Sequence, residues 1–160
     1  MNIRTATLAD LEAVAAIEAA CFPPAEAASK ESFAQRLEIF PDHFWLVEQD
    51  GVLVGFLNGA VIDSDVIPDA CYHDANRHNP NGAYQTVFGI NTLPQYRKQG
   101  IGGAMLHAMI DAAKKEGRKG CILTCKDTLK GYYESFGYVS KGRSASTHGG
   151  AEWNDMILEF

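Results

Sequence analysis

Long hydrophobic runs are missing from this sequence, since it contains no stretch of about 18 consecutive apolar residues. Its first residues, Met1-Asn2-Ile3-Arg4, also lack the basic and apolar regions of a signal peptide. From these two absences we expect a cytoplasmic protein that has no membrane partner.

Positive charge is scarce as well. The chain has 14 lysines and arginines against 20 aspartates and glutamates, which gives a formal net charge of −6. Nucleic-acid binding requires a basic face that displaces counterions from phosphates. The charge therefore argues against a nucleic-acid partner and is compatible with a small cationic substrate.

Cysteine occurs four times, and no Cys-x-x-Cys pair is present. Cys121 and Cys125 lie in an apolar run typical of a buried strand, so we expect free thiols. The polar segment 71–78 contains His73 and His78, but its spacing matches no standard zinc pattern. We therefore expect no metal site.

The composition that remains is that of a globular protein, with 160 residues of which 46% are hydrophobic. A chain of this length buries about 70% of the surface that its unfolded form exposes, so it needs no disulfide or metal. We expect a single domain over residues 1–160, as a monomer or homodimer.

Local patterns predict the order β-α-α-β-β-β-α-β-α-β-β, a mixed α/β fold. Thr7 and Asp10 indicate the start of a first helix that ends near Ala20. Ser29 can cap a second helix, and Asp50-Gly51 is typical of a tight hairpin turn.

Further along the chain, single strands are predicted over residues 52–62 and 83–92. The polar, turn-rich segment 63–81 between them predicts a mobile surface loop that contributes to a binding site. Later segments predict a buried strand at residues 121–124 and a short helix over residues 127–136. An amphipathic helix is predicted from an apolar face formed by Met105, Leu106, Met109, Ile110 and Ala113.

A glycine-rich turn, residues 97–103, joins a predicted strand to this amphipathic helix. Free N–H groups at a helix amino terminus bind phosphate or pyrophosphate, and Arg97 and Lys98 add positive charge. Such a turn can also serve only close packing of helix on strand. It is not a dinucleotide-binding turn of the Rossmann type, because Met105 stands where the third glycine is required.

These residues resemble the GNAT superfamily of acetyl-coenzyme A dependent N-acetyltransferases. The signature Arg/Gln-x-x-Gly-x-Gly/Ala is matched by residues 97–102, and Tyr-x-x-x-Gly-Phe is approximated by residues 133–138. Within the superfamily, residues 123–129 and 132–138 look most similar to segments of the arylalkylamine N-acetyltransferases.

The resemblance implies a GNAT acyl-CoA N-acyltransferase fold, with a mixed, mostly antiparallel sheet, splayed fourth and fifth strands, and helices on both faces. It implies acetyl-CoA as cosubstrate, with the pantetheine arm on the fourth strand and the pyrophosphate on the glycine turn. The residues expected to bind this cosubstrate are Ile90, Asn91, Thr92, Arg97, Lys98, Gln99, Gly100, Ile101, Gly102, Gly103 and Lys126.

The resemblance also implies that Tyr133 donates a proton to the coenzyme A thiolate, a role that fits a tyrosine pKa near its ordinary value of about 10. The alternative is a core aromatic residue. Two histidines that act on the amine in the arylalkylamine enzymes are replaced here by Thr86 and Phe88. Water ordered by Gln85 and Thr86 is one substitute for the missing base.

Three functions are therefore open. The first is acetylation of a small primary amine, such as an arylalkylamine or a polyamine. The second is acetylation of a protein amino group, and the third is a non-catalytic sensor of acyl-CoA. His148 is either a surface residue or part of an acceptor pocket.

Overall fold

The computed structural model describes residues 1–146 and 148–160; Thr147, in the predicted turn before the last strand, lies outside them. This described part contains nine strands: β1 (Asn2–Thr5), β2 (Phe44–Gln49), β3 (Val52–Asn58), β4 (Val61–Ile62), β5 (Tyr84–Val87), β6 (Gly89–Thr92), β7 (Gly120–Cys125), β8 (Val139–Arg143) and β9 (Asn154–Glu159). It also contains five α-helices: α1 (Leu11–Cys21), α2 (Lys30–Ile39), α3 (Ala70–His73), α4 (Ile101–Lys115) and α5 (Lys130–Glu134).

The strands form two sheets, with the orders β1-β2-β3-β6 and β4-β5-β7-β9-β8. β5 and β7 are parallel, and their pairing ends where Val87 lies opposite Leu123. After only Phe88 the chain continues as β6, which pairs with β3 in the other sheet. β6 therefore diverges from β7, which confirms the predicted splay of two parallel strands.

Helices cover both faces of the first sheet. Consecutive residues of β2 point to opposite faces: Trp45 and Val47 pack with α4, whereas Phe44 and Leu46 pack with α1 and α2. The apolar face of α4 is buried as its periodicity predicts, through Ile101, Met105, Leu106, Met109, Ile110 and Ala113. The helix positions thus follow from hydrophobic burial on each side of the sheet.

The start of the chain folds largely as expected. A 3-10 turn at Leu8–Asp10 precedes α1, and the Thr7 amide donates to Asp10 Oδ2 over 2.9 Å. Ser29 caps α2 by accepting a hydrogen bond from the Ser32 amide at 3.1 Å. The Asp50-Gly51 hairpin is present, and both residues have positive φ, as a two-residue hairpin turn requires.

Both of the long predicted strands are divided between the two sheets. Residues 52–62 separate into β3 and β4, and residues 83–92 separate into β5 and β6. A Cβ atom at Gly59 would lie 2.0 Å from the Thr86 carbonyl oxygen, so the first change of sheet occurs where only glycine fits. An apolar run shows that a strand is buried but not in which sheet it pairs.

The predicted loop at residues 63–81 contains α3 and a 3-10 turn at Ala75–Arg77. Ile67, Cys71 and Ala75 are buried at a spacing of four residues, which polar neighbours conceal in the sequence. The segment is thus anchored to the core. The helix predicted over residues 127–136 is also different, since a 3-10 turn at Asp127–Leu129 precedes the short α5.

All four cysteines are free thiols, as predicted. Within residues 1–146 and 148–160, no helix combines the length and apolar character that a membrane span needs. The same residues contain no group of three or more His, Cys, Asp or Glu side chains placed to hold a metal ion.

Candidate active site

The turn before α4 directs backbone N–H groups to one side. Lys98 and Gly100 both have positive φ, of 64° and 81°, and Gly100 directly precedes the helix. Consecutive amides in such left-handed turns form a concave anion site. The first-turn amides of α4, at residues 101–103, have no acceptor within the helix and lie at the positive end of its dipole. This arrangement favours a phosphate group.

A surface groove of about 610 Å³ extends from this turn along β6. Nine of the eleven residues predicted to bind the cosubstrate line it: Ile90, Asn91, Thr92, Arg97, Lys98, Gly100, Ile101, Gly102 and Gly103. Gln99 and Lys126 do not. Lys126 instead pairs with Glu26, and its Nζ atom lies 5.7 Å from the centroid of the Trp153 ring.

The free edge of β6 offers backbone groups to this groove. The Leu93 amide donates to the Val54 carbonyl at 2.9 Å, which sets the direction of the hydrogen bonds along β6. The backbone N–H and C=O groups of successive residues point to opposite sides of a strand. Those of Asn91 therefore point to β3, whereas those of Ile90 and Thr92 point to the groove. Of the three predicted backbone partners, Asn91 is therefore already paired with a neighbouring strand.

The groove has polar groups that fit coenzyme A, whose pantetheine arm carries amides and whose nucleotide part carries phosphates. Asn91 Oδ1 is buried and has no hydrogen-bond partner among the described residues. A Cβ atom at Gly102 would lie 3.0 Å from the Tyr132 hydroxyl, so glycine keeps this part of the groove open. Arg97 is held beside the turn because its Nε atom donates to the Thr92 carbonyl at 3.0 Å.

Where β6 and β7 part, the groove meets a cavity of about 130 Å³, which we call the splay cavity. It shares Phe22, Ile90 and Leu129 with the groove. Its other lining residues are Glu18, Glu26, Tyr72, Val87, Phe88, Gly89, Leu123, Thr124, Cys125, Tyr133, His148 and Trp153.

Tyr133, on α5, is 5% exposed and lines the splay cavity. Burial raises the pKa of its hydroxyl well above the ordinary value, and the neighbouring Tyr132 and Cys125 act in the same direction. The sequence-based expectation of a pKa near 10 is therefore wrong. The hydroxyl keeps its proton throughout the neutral range, so it can act there as a proton donor but not as a base.

The residues considered as substitutes for a base do not act as one. Thr86 Oγ1 donates to the Ala60 carbonyl at 2.7 Å. The Gln85 side chain is held by His43 Nδ1 at 2.8 Å and by the Gly59 and Thr86 carbonyls. Both side chains are fully buried and satisfied inside the fold, so neither orders water in the cavity. Phe88 does line the cavity, but its side chain has no titratable group.

A buried carboxylate lies near Phe88, where the chain turns from β5 into β6. We call this point the strand bend. Glu18, on α1, is 6% exposed, and it accepts hydrogen bonds from Asn91 Nδ2 at 2.7 Å and from the Ala28 amide at 2.9 Å. A Cβ atom at Gly89 would lie 3.9 Å from Glu18 Oε1. The sequence contains a signal for it, since Val14, Ile17 and Glu18 share one helix face, where a charged residue is unusual.

A second cavity of about 250 Å³, the polar chamber, adjoins the first. Six residues line both: Glu18, Glu26, Tyr72, Phe88, Gly89 and His148. The chamber's other lining residues are Ala27, Ala28, Ser29, Ser32, Arg36, Asn58 and His73. His148 therefore belongs to the site, and sequence reasoning left its position open.

Three connecting segments meet over these cavities, and we call their described residues the roof: 22–29, 63–83, and 144–146 with 148–153. His148 stacks on Tyr72 with ring centroids 5.5 Å apart, and its Nε2 atom lies 3.1 Å from the Glu26 carbonyl oxygen. Ser146 also donates to Asp69. These contacts join all three segments into one cover.

The model of the Acetyltransferase (GNAT) family matches residues 11–138 of this chain. Two curated proteins of Bacillus subtilis (strain 168) are similar to it. The probable hydrolase YhcX is 27% identical over an alignment of 132 residues, and the match covers 77% of this chain and 25% of that protein. The uncharacterized N-acetyltransferase YkwB is 25% identical over an alignment of 124 residues, and the match covers 69% of this chain and 54% of that protein. The chain thus spans between a quarter and about half of these relatives' lengths.

Solved structures share the fold at low sequence identity. The GphF GNAT-like decarboxylase in complex with isobutyryl-CoA is 20% identical with a TM-score of 0.86, and the match covers 99% of both chains. The ribosomal-protein-S18-alanine N-acetyltransferase from Escherichia coli is 22% identical with a TM-score of 0.73, and the match covers 99% of this chain and 92% of that one. The family model matches four-fifths of the chain, and the fold agrees with this match. The chain therefore belongs to the acetyltransferase (GNAT) family.

Proposed function

We propose that the protein is an N-acetyltransferase that transfers acetyl from acetyl-CoA directly to the primary amine of a small molecule. One observation carries this proposal: a groove with an anion-binding turn leads to a cavity that holds both a buried hydroxyl, Tyr133, and a buried carboxylate, Glu18. A proton donor and a proton acceptor on one cavity are what acyl transfer from a thiol to an amine requires.

The roles follow from where each group lies. The amides of residues 101–103 and the side chains of Arg97 and Lys98 hold the diphosphate, and the free edge of β6 binds the pantetheine arm. The thioester supplies the acetyl group. A carbon–nitrogen bond forms as the carbon–sulfur bond breaks, Glu18 takes the amine proton directly or through water, and Tyr133 protonates the departing thiolate.

The closed roof is an argument for a small acceptor. A polypeptide substrate needs an open channel beside the amine, whereas here the three segments of the roof contact one another above the cavities. Aromatic side chains line the covered space, among them Tyr72, Phe88, His148 and Trp153. An arylalkylamine-like acceptor suits these walls.

Acetylation of a protein amino group is the second candidate. It is favoured by the similarity in fold to the ribosomal-protein-S18-alanine N-acetyltransferase from Escherichia coli. A non-catalytic acyl-CoA sensor is a third reading, and the position of Tyr133 on the splay cavity speaks against it.

The test is an acceptor panel incubated with acetyl-CoA, with release of free thiol followed and each product identified by mass. The panel includes arylalkylamines, polyamines, amino acids and short peptides with free amino termini. We expect thiol release with at least one small amine. Acetylation of peptides alone would support the second candidate, and tight coenzyme A binding without any turnover would support the sensor.

The role of Glu18 is tested by Glu18→Gln, which keeps the side-chain size but removes the negative charge. We expect turnover to fall about 100-fold or more, since general base catalysis contributes roughly that much. Glu12→Gln is the matched control, because Glu12 lies on the same helix and is exposed. Unchanged turnover of Glu18→Gln would assign the proton to another acceptor.

A further inference from the structure

A buried arginine lines the polar chamber. Arg36, on α2, is 4% exposed, and its guanidinium donates to Asn58 Oδ1 and to the Tyr72 carbonyl, each at 2.9 Å. Its central carbon lies 4.8 Å from the centroid of the Phe88 ring. These two hydrogen bonds leave further N–H donors of the guanidinium unused.

No carboxylate neutralises this charge at close range. Among the described residues, Arg36 forms no ion pair with an aspartate or glutamate. Burial lowers the pKa of Arg36 to about 10, and the more distant Glu18 carboxylate opposes this shift. A buried charge without a partner is unfavourable, so a cavity beside it is a favourable place for an anion.

Two opposite charges thus line one chamber without meeting. Glu18 lies at the strand bend, where the proposed function places acetyl transfer. Arg36 lies on the side of the chamber that α2 forms. Glu26 also carries negative charge, but Lys126 pairs with it. A chamber with a carboxylate near the reaction point and a free guanidinium farther away is complementary to a zwitterion.

We infer that the acceptor is an amino acid, whose amine is directed to Glu18 and whose carboxylate binds Arg36. This inference rests on the proposed function and adds the substrate class. The products are an N-acetylated amino acid and coenzyme A with a free thiol. Polyamines are disfavoured, because a second ammonium group would meet the Arg36 guanidinium instead of a carboxylate.

The experiment compares each amino acid with its own carboxamide, which has nearly the same shape but no negative charge. Leucine, phenylalanine and tryptophan are tested against leucinamide, phenylalaninamide and tryptophanamide, with tryptamine as the amine that lacks the group altogether. For at least one pair we expect kcat/KM to be about 10- to 100-fold higher for the free acid, the size of one charged hydrogen bond.

Arg36→Gln is expected to remove that preference, and Arg36→Lys to keep part of it. Arg77→Gln, at an exposed arginine, is the matched control. If Arg36→Gln does not fold, the comparison of acid with carboxamide on the unchanged protein still tests the amino acid inference. Equal or better use of carboxamides and tryptamine overturns the amino acid inference and leaves the proposed function in place.

A complete absence of turnover with every compound is interpreted separately. If no compound releases thiol from acetyl-CoA, the proposed function fails, and the inference is then judged by binding alone. Calorimetry in the presence of coenzyme A measures the dissociation constants of the same acids and carboxamides. Tighter binding of the acid supports the Arg36 site, whereas equal or undetectable binding overturns it.

Discussion

At the scale of single residues, burial determines which groups in the cavity can exchange protons. The pKa of the Tyr133 hydroxyl is raised above 10.0 mainly because the ionised form would lose its hydration. The same burial keeps the hydroxyl as an acid across the pH range in which amines become reactive.

Tyr133→Phe removes the hydroxyl and keeps the packing of the ring. We expect turnover to fall about 100- to 10,000-fold, with little change in the dissociation constant of acetyl-CoA or in thermal stability. Steady-state kinetics and calorimetry measure these quantities. In the unchanged protein, turnover should show no loss from Tyr133 ionisation up to about pH 10.

Tyr138→Phe is the control for this variant. Tyr138 is also buried, but it does not line the splay cavity, and among the described residues its hydroxyl has only the weakly interacting Cys121 thiol beside it. Its replacement is expected to leave turnover unchanged and stability unchanged or slightly higher. Equal activity of the two variants would return Tyr133 to the role of a core aromatic residue.

A second residue, His78, links stability to pH. Its Nδ1 atom accepts a hydrogen bond from the Val61 amide at 3.0 Å, and its ring stacks on Phe40. Burial and the neighbouring His43 lower the pKa of His78 from 6.5 to about 4. The folded state therefore favours the neutral ring, which can accept the hydrogen bond.

We expect His78 to contribute stability that is complete above pH 6.5 and lost as the pH falls towards 4. In that window the unfolded chain binds a proton that the folded chain does not. The contribution is about 1 to 3 kcal/mol, reduced by partial exposure of the ring. Denaturant unfolding at several pH values measures it.

His78→Gln keeps a hydrogen-bond acceptor but cannot titrate, so its stability should vary less between pH 6.5 and 4 than that of the unchanged protein. His107→Gln, at an exposed histidine on α4, should show the original dependence. Identical curves for His78→Gln and the unchanged protein would contradict this assignment.

At the scale of elements, the proposed cosubstrate site combines the start of α4 with the edge of β6. The helix supplies free amides, and the strand supplies outward-facing backbone groups at Ile90 and Thr92. Both use backbone atoms, so side chains matter here mainly by leaving space. This accounts for the glycines at the start of α4, where the proposed site places the phosphates.

Gly102→Val tests this site. A Cβ at this position would lie 3.0 Å from the Tyr132 hydroxyl, and the larger side chain would project over the helix amino terminus. We expect the affinity for coenzyme A to fall about tenfold or more, which is about 1.4 kcal/mol. Calorimetry with coenzyme A measures it.

The matched control is Gly131→Val, the same change in another helix, at a position that is exposed and has no atom within 4 Å of the added Cβ. Its affinity for coenzyme A should stay within about twofold of the original. Unchanged affinity in Gly102→Val would place the diphosphate elsewhere.

At the scale of the whole molecule, three distant segments build the acceptor side of the site. The segments of the roof are joined by the contacts of Glu26, Tyr72 and His148. Tyr72 adds a hydrogen bond to Thr124 Oγ1 at 3.0 Å, which ties the roof to β7. The roof is therefore expected to control acceptor binding and not coenzyme A binding.

Tyr72→Leu removes the ring that stacks on His148 and the hydroxyl that bonds to Thr124. We expect the Michaelis constant for the amine to rise about tenfold, while the dissociation constant of coenzyme A stays within about twofold. Tyr84→Leu, on β5 and away from both cavities, is the control. Weaker coenzyme A binding with an unchanged Michaelis constant would reverse the assignment.

Much of the fold and half of the site are contained in local sequence. The face of α4, the Asp50-Gly51 hairpin and the cap at Ser29 each depend on neighbouring residues, so periodicity and turn chemistry were sufficient. The glycine turn was also visible, because an anion site at a helix amino terminus is built from one continuous segment.

The acceptor side was decided only by tertiary structure. Glu18, Arg36 and His148 are far apart in the chain and line one chamber because α1, α2 and the last connection pack around the bend at Phe88. Local patterns place Glu18 and Arg36 on otherwise apolar helix faces without showing what lies opposite. The bend itself follows from pairing in two different sheets, a choice between long-range partners that no local pattern records.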